Sequence, residues 1–76
     1  MVYIKCQNGN GIYPMTTALE IGGVENAIVK INYGGIIPTV AVYSTHSRAK
    51  EVLAELADEI ANCTTPNMVF QMPAND

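Results

Sequence analysis

The chain opens on an alternation. In MVYIKC, Val2, Ile4 and Cys6 fall on one side and Tyr3 and Lys5 on the other, the period of a half-buried strand. QNGNG follows, and Asn-Gly between apolar runs marks a hairpin turn, because both residues accept positive φ at little cost. A phosphate-cradling loop would instead lead from a strand into a helix and on to Lys-Ser/Thr. Here IYPM follows, a short strand that Pro14 restricts to an edge. In TALEIGG, Leu19 and Ile21 share a side before Gly22-Gly23. NAIVKINY alternates most clearly, with Ala27, Val29, Ile31 and Tyr33 opposite Ile28, Lys30 and Asn32. Gly34-Gly35 then supplies a tight turn. In IIPTVAVY, Val40 and Val42 lie on one face, Ala41 and Tyr43 on the other. Both faces read as covered, so this strand is expected to meet a second chain.

The period then changes. From His46 to Asn62, Ala49, Val52, Leu53, Leu56 and Ile60 recur at steps of three and four, an amphipathic helix with Ser44 or Thr45 as its N-cap. Pro66 excludes continuation. MVFQM reads as a last short strand with Met68, Phe70 and Met72 in the core, and residues 73–76 as a frayed tail. The expectation is one α+β domain over 1–76. It consists of a small, curled antiparallel sheet of four to six strands, one helix over about 46–62 and a short C-terminal strand.

Composition narrows the function. Hydrophobic residues make up 49% of the 76 and charged residues only 14%, too apolar for disorder. It is also lean in charge for a small monomer, whose surface carries about 25–35% charged residues. A homo-oligomer, dimer or higher, is therefore expected. Four Lys/Arg against seven Asp/Glu give a net charge of −3 and no basic stripe, which argues against nucleic acid. No run approaches the ~20 apolar residues that cross a bilayer, and MVYIKCQNG does not resemble a secretion signal. A cytoplasmic chain is expected, with Cys6 and Cys63 reduced. The two cysteines fit no zinc or redox spacing, and no cofactor or metal is expected.

TVAVYSTHSRAKEVLAELADEI followed by VFQMP resembles a family of small uncharacterised proteins encoded by phages and mobile elements of Gram-positive bacteria. The matching positions are Tyr43, Thr45, Arg48, Ala49, Val52, Leu53, Ile60, Phe70, Met72 and Pro73, and YIKCQNG is similar to that family's first strand and turn. The resemblance implies a phage or prophage origin and action inside a bacterial host. It brings no established activity and no catalytic residues. Where the family often has Glu immediately before the Arg, this chain has Ser47.

The candidate chemistry is that of binding. The single His46 sits at the helix start with no marked nucleophile beside it, and the carboxylates line an outer helix face with no apolar pocket to separate their pKa values. No enzyme activity is expected. At the helix start, unpaired N–H groups with Ser44, Thr45, His46, Ser47 and Arg48 form a candidate site for an anionic, nucleotide-like ligand. Thr45 as a cap and Arg48 as an ion-pair donor account for the same residues. Along the outer face, Glu51, Glu55, Asp58 and Glu59 form a candidate contact for a partner protein. The acids sit late and the bases early, which opposes the macrodipole. The functional expectation is a non-enzymatic phage-type protein that antagonises a host defence system, by sequestering an anionic signal or by masking a defence protein. The alternative is an adaptor for prophage maintenance that acts through protein contacts alone.

Overall fold

The computed structural model describes residues 1–15, 18–32 and 34–75. In chain order they form β1 (Val2–Lys5), β2 (Ile12–Pro14), β3 (Leu19–Gly22), β4 (Ala27–Ile31), β5 (Thr39–Tyr43), α1 (His46–Asn62) and β6 (Met68–Gln71). The helix occupies the span its periodicity predicts. The expectation about Tyr33 and the last residue of the tail, Asp76, lie outside the described residues.

The single curled antiparallel sheet is corrected. Six strands form two three-stranded sheets, neither of them curled. One, β2-β1-β6, is mixed, with β1 antiparallel to β2 and parallel to β6. The other, β3-β4-β5, is an antiparallel meander. A parallel pair cannot be joined by a hairpin and needs a long crossover. Here everything from residue 6 to residue 67 serves as that crossover. Alternation along the last strand sets its faces but carries no information about which strand it joins.

The turn after β1 is local in geometry. Cys6 N–H donates to the Gly11 carbonyl at 2.8 Å, Gly9 N–H to the Cys6 carbonyl at 2.9 Å, and Asn10 N–H to Asn8 Oδ1 at 2.9 Å. CQNGNG, residues 6–11, is thus the turn of the β1–β2 hairpin. Gln7, at its start, joins the two sheets. Its N–H donates to the Val40 carbonyl at 2.8 Å, its Oε1 accepts from Val42 N–H at 3.1 Å, and its Nε2 donates to the Pro73 carbonyl at 3.1 Å.

One core lies between the elements. Ile4, Cys6, Phe70 and Met72 from the first sheet meet Ala27, Val29, Ile31, Ala41 and Tyr43 from the second, with Ala49, Val52 and Leu56 of α1 packed onto them. The β5 pattern departs from simple alternation: Val40 and Ala41 are both buried, whereas Val42 is 40% exposed. The pairing shows why. Val29 faces Ala41 and Lys30 faces Thr39, so Val40 is the extra residue of a β-bulge, which rotates it out of register. The helix face also needs correction. Ala49, Val52 and Leu56 are buried and Leu53 half-buried, but Ile60 is 38% exposed.

Candidate functional site

The start of α1 is shaped by the turn out of β5. Thr45, extended at φ −132° and ψ 150°, is the N-cap, and its Oγ1 accepts from Arg48 N–H at 3.1 Å. Such a cap satisfies one of the helix's otherwise unpaired donors. Ser44 N–H donates to Asn75 Oδ1 at 2.9 Å, and His46 Nε2 lies 3.2 Å from the Gly23 carbonyl oxygen, where the Nε2–H tautomer donates. Arg48 turns back along the helix. Its Cζ stands 5.9 Å from the centroid of the Tyr43 ring, within cation–π range, and its Nη1 is 3.9 Å from Glu55 Oε1.

The structure therefore brings Ser44, Thr45, His46, Ser47 and Arg48 together, and gives four of them internal partners. They bind the helix start to the C-terminal segment, to the turn after β3 and to the helix's own next turns. Ser47 is exposed. An anion entering here would compete with the cap and with Glu55 for the same donors.

Below this start lies Tyr43, fully buried, whose hydroxyl donates to the Pro73 carbonyl at 2.7 Å. Burial pushes its phenol above the ordinary value of 10.0, against the pull of the Arg48 guanidinium, and Glu55 adds to the rise. The same carbonyl accepts from Gln7 Nε2. Pro73 and Asn75, expected in a frayed tail, thus make three hydrogen bonds to the body of the fold.

The acidic row is exposed along its whole length. Glu51, Glu55, Asp58 and Glu59 all face solvent, away from the buried stripe of Ala49, Val52 and Leu56. The last turn carries no basic residue, so nothing there complements the negative end of the helix. Arg48 reaches Glu55 only at 3.9 Å, with the two side chains 23% and 55% exposed, a weak surface pair.

Two grooves escaped the sequence reading. One, of about 250 Å³, is lined by Ala18, Glu20, Lys30, Asn32 and Ile37 on the outer face of β3-β4-β5. The other, shallow and about 390 Å³, lies over Lys5, Gly11, Ile12 and Val69 on the outer face of β2-β1-β6. The alternation already turns Lys30 and Asn32 outward, but only the strand register places Glu20 beside Lys30. Among the described residues, no three His, Cys, Asp or Glu side chains gather to hold a metal ion. Nor is any helix long and apolar enough to cross a membrane. Cys6 is buried and Cys63 half-buried, both as free thiols.

No family model matches the chain, and no curated protein or solved structure matches it.

Proposed function

We propose that this is a non-enzymatic binding protein of phage type, which acts in the bacterial cytoplasm by masking a host defence protein with the acidic face of α1. The observation that carries the reading is the exposed row Glu51, Glu55, Asp58 and Glu59, without a base in the final turn. Like charges at i, i+4 and acids near a helix C-terminus both cost stability. A basic surface on a partner would relieve both penalties on binding and speed the encounter. The phage context comes from the resemblance of residues 39–73. Sequestration of an anionic signal at the helix start is the weaker reading, because the cap, the Gly23 contact and the Glu55 pair already engage its donors.

The test is to express the chain in bacteria that carry one defence system at a time and to challenge them with a sensitive phage. The chain should raise plating efficiency at least tenfold against one system. The variant Glu51→Gln/Glu55→Gln/Glu59→Gln should lose that effect while its folded state becomes more stable. Relief retained in full by the variant removes the acidic face from the mechanism. Failure to relieve any system, with altered prophage maintenance instead, would support the adaptor reading.

A further inference from the structure

The face of β3-β4-β5 that points away from α1 forms ordered rows. Leu19, Ile21, Ala27, Val29 and Ile31 turn toward the core, so the intervening residues turn outward. Register sets Gly22, Ile28 and Val42 in one row and Glu20, Lys30 and Thr39 in the next. A third row joins Ala18 to Asn32, whose N–H donates to the Ala18 carbonyl at 3.1 Å, with Ile37 alongside at 62% exposure. Glu20, Asn32, Ile37, Thr39 and Val42 on this face are exposed, and Gly22, Ile28 and Lys30 half-buried.

Its charges are unusual for a cross-strand pair. Glu20 and Lys30 stand directly opposite each other, where opposite charges ordinarily interact. Among the described residues neither makes an ion pair. Lys30 leans instead over Gly22, where a Cβ would lie 3.7 Å from its Nζ. The acid and the base thus flank the groove rather than close it.

We infer that this face is the interface with a second copy of the chain, in which Glu20 pairs with the partner's Lys30. A twofold axis that runs along the strands between β3 and β4 lays each strand over the other strand of the partner. It sets Glu20 over the partner's Lys30, and Gly22, which has no side chain, over the partner's Ile28. An axis along β4 sets Lys30 over the partner's Lys30 and is disfavoured by like charge. The contact is isologous and closes at two copies, with the sheets packed aligned. Three strands about 4.8 Å apart, each of about five residues, give a face only about 15 Å on a side. That is about a quarter of the ~800 Å² per partner of a standard interface, so the contact is a weak one that rests on its charge pairing, and its dimer is expected no tighter than the micromolar range. The contact leaves the acidic face of α1, on the other side of the sheet, free, and does not depend on the function proposed for it.

Charge reversal with sedimentation equilibrium tests the pairing. The wild-type chain should reach twice its 8.2 kDa mass within the micromolar range. Glu20→Lys and Lys30→Glu should each raise the dimer Kd at least tenfold, because each opposes like charges across the axis. An equimolar mixture of the two variants should recover wild-type association as a heterodimer, as should the chain that carries both reversals. Far-UV circular dichroism of each variant checks that the fold persists. A wild-type chain that stays at 8.2 kDa throughout that range overturns the inference. So do reversals that dimerise like wild type, and so does a mixture that stays monomeric. Loss of association in all three reversed proteins, the double reversal included, also overturns the pairing of Glu20 with the partner's Lys30.

Discussion

The Pro73 carbonyl offers a direct measure of how the C-terminal segment is held. It accepts from the Tyr43 hydroxyl at 2.7 Å and from Gln7 Nε2 at 3.1 Å, so either donor can be removed while the other remains. Tyr43→Phe deletes one oxygen from a fully buried ring and should cost about 0.5–1.5 kcal/mol, the net worth of one hydrogen bond. Gln7→Leu removes the second donor together with the acceptor of Val42 N–H. Water can reach that N–H beside a 40% exposed residue, so this change should cost about 1–2 kcal/mol. With both substitutions the half-buried Pro73 carbonyl keeps neither partner, and an unmet acceptor there carries a penalty toward the lower end of about 1–3 kcal/mol. The double variant should therefore exceed the sum of the singles by about 1 kcal/mol, as groups that share a partner do. Urea unfolding of the four proteins, followed by far-UV circular dichroism at pH 7, measures this coupling. Additivity within about 0.3–0.5 kcal/mol would refute it and make the segment an ornament rather than a joint.

Three further outcomes follow from burial and backbone geometry. Leu56→Ala should cost about 2–5 kcal/mol and Ile60→Ala under about 1 kcal/mol, since Leu56 is 4% exposed and Ile60 38%; equal losses in urea unfolding would contradict this helix orientation. Gly23 has φ +92°, and a Cβ there would strike the Asn26 carbonyl oxygen, whereas Gly9 at φ +77° has open space. Gly23→Ala should therefore lower the unfolding midpoint more than Gly9→Ala, whose cost is left-handed strain of about 1–2 kcal/mol. Because burial raises the Tyr43 pKa in the fold, the unfolded chain loses that proton first. Stability from this group is full below pH 10 and falls as the pH rises above it. Titrated from pH 9 to 12, Tyr43→Phe should lose stability less steeply than wild type, and parallel curves would remove Tyr43 as a cause.

The periods of two and three-to-four were enough to locate the strands and to bound α1, because burial of one face is a local property. Partnership was not legible. Val2–Lys5 and Met68–Gln71 pair in parallel across nearly the whole chain, and nothing in either strand names the other. The bulge at Val40 was hidden for a related reason. TVAVY reads as uniform alternation, and the irregularity exists only relative to β4. Ile60 fits the helical stripe by spacing, but the helix packs chiefly on β3, β4 and β5, and Ile60 in its last turn is left 38% exposed.

The helix start shows why polar residues in a promising cluster are a poor guide to a ligand. Ser44, Thr45, His46 and Arg48 were legible as donors and acceptors, and in the fold they do act as such. Their partners are Asn75, the Arg48 N–H, Gly23 and Glu55. The cap and the ion pair lie within the helix and could be read locally, whereas Asn75 and Gly23 are too distant in sequence for local inspection to link. The outer face of β3-β4-β5 is the converse case. Glu20 and Lys30 look unremarkable in the chain, and only register makes them neighbours that fail to pair. A surface is better judged by what its charged groups leave undone once the fold has formed. By that measure the acidic side of α1 and the Glu20–Lys30 row, on opposite sides of one sheet, are the two surfaces proposed to meet other molecules. One suits a basic partner and the other suits a second copy of the chain, so both can be occupied at once.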